Sequence, residues 1–251
     1  MIFNRLVEYC TISDGVHENE AHTRVLSLLV RGQADQDTFA ERLSPAERAA
    51  VGELHAWAAK DQIAHNNFWR EDANLRLEAA LDGTEPRDTE SDEAETLRWN
   101  DRNFEAQRDT MWDRLVAETA RLRAQTAELI GRLTEQELTT RDRYPWQHGM
   151  SLQGLIFVNW YDHPAEHWAD FYLSRGEIDR ALELRRAVAA TVKDLFAHDS
   201  KLYSFMAYKL GEICANHGRR DEAAAALRDA VEANPSLEEM VRKEFGTLYE
   251  G

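Results

Sequence analysis

Cysteine is scarce in this chain: Cys10 and Cys214 are the only two in 251 residues. They lie far apart and form no CxxC or zinc-knuckle spacing, so neither a disulfide framework nor a thiolate metal site is expected. Two reduced, mostly buried thiols are the expectation instead. Chain breakers are few as well, with five prolines and twelve glycines, which leaves room for long helices. No segment approaches the ~18 consecutive apolar residues of a membrane span. The opening stretch, MIFNRLVEYCTISDGVHENE, lacks the basic start and apolar run of a signal peptide, and a cytoplasmic location is expected. Positive charge is in deficit: 30 basic side chains face 46 acidic ones, a formal net charge of −16. That balance argues against a nucleic-acid binder that tracks the phosphate backbone. It also disfavours docking on anionic membranes and favours cationic or neutral partners.

What is present is helical periodicity on a chain that is 43% hydrophobic and 30% charged. Residues ~22–43 carry a stripe of Val25, Leu28, Leu29, Phe39 and Leu43, and Ser44-Pro45 with Glu47 reads as a capped helix start. Residues ~58–82 repeat the pattern through Ile63, Phe68, Trp69, Leu75 and Leu81, and Asp82-Gly83 stops it. The polar stretch DGTEPRDTESDEAE reads as a long surface loop. The pattern over 94–138, with Leu97, Phe104, Trp112, Leu115, Leu122, Leu129, Ile130 and Leu133, predicts the longest helix. A second loop, TTRDRYPWQHG, leads into a helical segment at ~151–174. Four long amphipathic segments with two crossing loops suit an all-α four-helix bundle over 1–175.

The remainder, 176–251, reads as a helical extension. From Ser204 to Leu237 the residues Ala207, Leu210, Gly211, Ala223, Leu227, Ala230 and Pro235 fall at the small and apolar positions of the ~34-residue tetratricopeptide pattern. Small side chains there let two antiparallel helices approach closely. Cys214 stands where that pattern usually has an aromatic. One repeat cannot bury its own apolar face, so this tail is expected to cap the bundle, with a peptide-docking groove or a dimer contact as the functional alternative.

Nine histidines are present, and three stand out. His163 and His167 are four apart in NWYDHPAEHWADFY, which on a helix puts their Cβ atoms ~5–6 Å from each other. Two imidazoles so placed can converge on a divalent ion. His65, in the second helix with Phe68 and Trp69 on its inward side, supplies a third, and three protein ligands plus water is a common catalytic set. Projected as one helix, Leu152, Ile156, Asn159, His163, Glu166/His167 and Asp170 share a stripe. Pro164 complicates this, because proline disfavours helical geometry in the residue before it and cannot donate to the carbonyl of Trp160. It either starts a helix, leaving His163 outside, or kinks one that retains both histidines; the kink is the expected form.

With these residues in place, the chain resembles the DinB-like superfamily of four-helix-bundle proteins, and within it the ClbS/DfsB-like branch. WAAKDQIAHNNFWRE (57–71), WNDRNFEAQRDTMWDRL (99–115) and NWYDHPAEHW (159–168) carry the resemblance. It implies a metal site with one ligand from the second helix and two, four apart, from the last, which here are His65, His163 and His167. It also implies a chemistry: members include thiol-dependent transferases and isomerases and a hydrolase that opens a strained ring. Pro164 departs from the aromatic expected after the first histidine of the pair.

The functional expectation is a metal-dependent transferase or hydrolase acting on a small electrophile. Zinc or nickel is the expected ion, and a low-molecular-weight thiol the expected co-substrate. Asp61, Asn159, Glu166 and Asp170 are candidates for orienting the ligands or moving protons. Trp57, Trp69, Trp112 and Trp160 are candidates for an apolar pocket. Two other outcomes stay open: a non-catalytic scaffold recruiting a partner through the tail, and sequestration of an apolar small molecule without turnover.

Overall fold

The computed structural model describes residues 20–86, 93–147, 149–196 and 199–250. Cys10, His17, His148 and His198 lie outside them. The described residues are all-α; an isolated bridge between Glu53 and Ala56 is their only β-type pairing. No helix among them is long and apolar enough to cross a membrane. The chain divides into two compact units, Met1–Pro164 and Ala165–Gly251. The division falls within a helix, upstream of the 175/176 boundary expected from the pattern.

In the first unit, α1 (Glu20–Glu41) buries the expected stripe of Val25, Leu28, Leu29 and Phe39. A capping box opens α2 (Pro45–Ala49): the Glu47 N–H donates to Ser44 Oγ at 3.2 Å, and the Ser44 N–H donates to the Glu47 carboxylate at 2.8 Å. Two backbone donors thus find partners at an otherwise unsatisfied helix end. The helix α3 (Ala59–Asp82) ends at Gly83, whose φ of 65° is left-handed and favours glycine. It is not the simple amphipathic stripe expected. Nine consecutive residues, Ala59 to Asn67, are buried, whereas Leu75, placed inside by the stripe, is 55% exposed.

The segment 94–138 is not one helix. It forms α4 (Glu93–Gln107), α5 (Trp112–Arg132) and α6 (Glu135–Thr139). Polar side chains compete with the helix at both breaks. Thr110 donates from its N–H to the Gln107 carbonyl at 2.8 Å and from its hydroxyl to the Gln107 amide oxygen at 2.9 Å, and Met111 turns extended. At the second break Thr134 and Glu137 form another capping box. Among the described residues the longest helix is therefore α3, with 24 residues.

After a 3-10 turn at Pro145–Gln147, α7 (Leu152–Phe157) runs into a π-helical turn at Val158–Asp162 and on into α8 (His163–Ser174). Leu29 of α1, Leu77 of α3, Leu122 and Ile130 of α5, Leu152 and Ile156 of α7, and Trp160 share one buried cluster. Two polar rungs fix α3 against α5. The Asn67 amide donates to the Leu115 carbonyl at 2.8 Å and accepts from Thr119 at 2.8 Å. One heptad on, Asn74 donates to the Leu122 carbonyl at 3.2 Å and accepts from Thr126 at 2.5 Å. Both partners advance together, so α3 and α5 run parallel.

The second unit continues with α9 (Ile178–Leu195), α10 (Ser200–Asn216), α11 (Arg220–Ala233) and α12 (Glu238–Glu250). The helices α10 and α11 form a hairpin held by small residues. A Cβ at Gly211 would stand 2.8 Å from Leu227 Cγ, and the Ser204 hydroxyl donates to the Ala230 carbonyl at 2.8 Å. Cys214 is buried beside Leu182 and Ala223, and burial pushes its thiol up, as the sequence suggests for an inert cysteine.

Candidate metal centre

His65 sits within the fully enclosed first half of α3 and is 3% exposed. Its ring meets Trp57 at 4.4 Å between centroids and Trp69 edge-on at 6.3 Å. The two tryptophans flank the imidazole, whose Nε2 lies 3.2 Å from Nε2 of His163. The two rings are close to perpendicular, at 77° between planes and 5.0 Å between centroids. His167 follows one turn later on α8. Ligand nitrogens of His65, His163 and His167 all lie within 4.8 Å of one another, the first buried and the other two half-buried.

The donor set fits a divalent ion. Two nitrogens on a tetrahedral zinc at ~2.0–2.1 Å would be about 3.3 Å apart, close to the observed His65–His163 separation. Imidazole donors suit zinc, nickel, copper or iron.

Pro164 does not exclude His163 from the helix. His163 keeps helical geometry, with φ −61° and ψ −45°, and its N–H donates to the Val158 carbonyl five residues back. The kink expected at the proline is a π turn placed just before it. Such a turn carries one extra residue and rotates the downstream helix by about 100° relative to an unbroken α-helix. The single stripe drawn from Leu152 to Asp170 is therefore wrong in register. Asn159, drawn in line with His163, instead donates to the Leu155 carbonyl at 2.9 Å.

The other candidates have distinct settings. Asp61 accepts from the N–H groups of Gly52 at 2.6 Å and Ala58 at 2.9 Å, tying the start of α3 to the preceding loop. Glu166 pairs with Lys209. Burial raises the Asp170 carboxyl above its ordinary range, against the opposing pull of Arg185. Trp57 and Trp69 flank His65, but Trp160 lies in the hydrophobic core and Trp112 lies under the Arg48 guanidinium, 5.8 Å from it. A cavity of about 850 Å³ in the first unit is lined by Phe68, Trp99, Glu71, Glu85 and Arg102 among others, and by none of the four tryptophans or three histidines. Elsewhere, His22 meets the Leu133 carbonyl at 2.7 Å, His217 meets that of Ile213 at 2.9 Å, and His55 is exposed near Asp101.

Sequence reasoning missed Arg70. It is fully buried, donates to Gln36 Oε1 at 2.8 Å and stacks 4.5 Å over the Trp160 ring. Its Nε and Nη2 meet no acceptor among the described residues. Burial, reinforced by Arg123, pulls the guanidinium down to about 9. Its i, i+4, i+8 spacing with Gln62 and Asn66, three polar residues on one helix face, looks like a solvated surface in the sequence. No family model, curated protein or solved structure matches this chain.

Proposed function

We propose that this chain is a DinB-like metal-binding bundle protein in which His65, His163 and His167 hold a divalent ion, with zinc or nickel favoured. The observation that carries the reading is the approach of two imidazole nitrogens from distant parts of the first unit to 3.2 Å, with the third nitrogen in reach. Bound there, such an ion supplies Lewis acidity and lowers the pKa of a water or thiol at an open position. The chain's own residues supply the rest. Trp57 and Trp69 wall the His65 ring and restrict water on that side. The activity this supports is transfer of a low-molecular-weight thiol to, or hydrolysis of, a small electrophile in the cytoplasm. The close α10–α11 hairpin supports reading the tail as tetratricopeptide-like, a surface for a peptide or a second copy of the chain.

Untagged wild-type protein is expected to retain about one divalent ion per chain by elemental analysis, and a His65→Ala, His163→Ala double variant none. Zinc or nickel at 100 times its dissociation constant should stabilise the wild type by about 2.7 kcal/mol, seen as a raised Tm, and leave the variant unchanged. A wild type that neither retains nor responds to these ions sinks the reading. Metal retained without turnover across thiol–electrophile pairs would move the function to sequestration or scaffolding.

A further inference from the structure

Glycine in the middle of a helix is unfavourable, yet Gly32 lies inside α1 and is buried. The reason is a backbone contact. A Cβ built on Gly32 would stand 1.9 Å from the Trp160 carbonyl oxygen, 3.0 Å from its carbon and 3.7 Å from the Cα of Tyr161. These are main-chain atoms in the centre of the π turn and cannot swing aside as a side-chain tip would. The same carbonyl is the one to which residue 164 would donate in an α-helix, and Pro164 has no N–H to give. Two features far apart in sequence thus act on one peptide group. Proline removes the hydrogen bond that would draw the segment back to α geometry. Glycine lets the backbone of α1 lie directly against the carbonyl, a fit suited to a weak Cα–H···O contact.

We propose that Gly32 and Pro164 are positioning residues that hold Val158–Asp162 in π geometry and so aim His163 at His65. The extra residue of the π turn sets the rotation of everything after it. Return to an α-helix would swing His163 by about 100° and separate the two rings. The effect on the histidine pair stands on geometry alone, whereas its effect on ion binding rests on the metal reading above.

The test uses the full-length, metal-free protein and then cobalt(II). In wild type, NMR should give a nuclear Overhauser cross-peak between ring protons of His65 and His163. Gly32→Ala should abolish it. Pro164→Ala, which restores a donor for the Trp160 carbonyl, should weaken or abolish it with helix content by circular dichroism unchanged. Leu129→Ala, a core truncation in α5, should lower stability but keep the cross-peak, separating positioning from general loosening. The cobalt(II) dissociation constant, read from the d–d absorption bands, should rise at least tenfold in Gly32→Ala and Pro164→Ala and stay unchanged in Leu129→Ala. An unchanged cross-peak in both variants overturns the proposal; if Gly32→Ala does not fold, Pro164→Ala decides alone. A wild type with the cross-peak but no cobalt binding would overturn the metal reading and leave the positioning role standing.

Discussion

The two compact units solve helix packing with opposite chemistry. The first carries a polar interior: Gln36, Asn67, Arg70, Asn74, Thr119 and Thr126 are all buried and linked by hydrogen bonds. The second packs α10 on α11 through Ala207, Gly211, Ala223, Ala226 and Ala230, with Leu227 filling the space left by Gly211. Small residues bring the helix axes close and gain dispersion contacts, and the buried Ser204 hydroxyl there is satisfied by the Ala230 carbonyl. Buried amides and hydroxyls contribute less net stability but tolerate only the register in which every partner meets. In the first unit the polar interior lies along α3, the helix that carries His65. The small-residue interior lies where a hairpin needs only to close.

The sharpest way to break this contrast is at Arg70. Arg70→Ala should cost about 3–5 kcal/mol, since it opens a cavity beside Trp160 and strands the Gln36 amide oxygen. Arg70→Met, which fills the volume without a charge, should cost under about 1.5 kcal/mol. Urea unfolding of the two variants checks the difference, and equal losses would show that the charge itself is needed.

In the second unit the corresponding test is a pair. Gly211→Ala should destabilise by about 1–3 kcal/mol by pressing on Leu227. In a Leu227→Ala background the same change should cost at least about 1 kcal/mol less, because the crowded side chain is gone. A double-mutant cycle by thermal unfolding reads the coupling; purely additive costs would mean that the close approach is not what holds the hairpin.

The smallest effect concerns Asp35 of α1. Burial raises its carboxyl to about 6, only partly opposed by Arg31. Between pH ~4 and ~6 the folded chain therefore holds a proton that the unfolded chain has released, so this group's contribution to stability falls as pH rises through that window. Asp35→Asn should match wild type near pH 4 and exceed it by about 1–2 kcal/mol above pH 6, an upper range given partial exposure. Stability curves against pH that stay parallel for the two proteins would remove Asp35 from the account.

Much of the fold is legible in the sequence where the signal is local. Ser44-Pro45 with Glu47 marks the start of α2 because a capping box involves only four neighbouring residues, and the stripe of α1 is plain because one face of that helix is wet. The same reasoning fails on α3, whose first half is enclosed on all sides, so that apolar spacing no longer reports burial. It also passes over the break after Gln107 and the Thr134–Glu137 box, since an uninterrupted apolar period outweighs two polar turns that each rest on a single side chain. At the candidate site, His163 and His167 could be named from their spacing, and His65 only from its inward helical setting and the family resemblance; the tryptophans could be named but not assigned to His65 or to the core.

Residue type and neighbours three or four positions away are enough to read the helical character, the capping box at Ser44, the stop at Gly83 and the charge balance, and to put forward the three imidazoles as candidates. The register in which the imidazoles meet is set by long-range packing. That register depends on a carbonyl of Trp160 that Pro164 cannot satisfy and that Gly32, from another helix, has just enough space to cover. A contact between backbones more than a hundred residues apart leaves no period in the sequence to read.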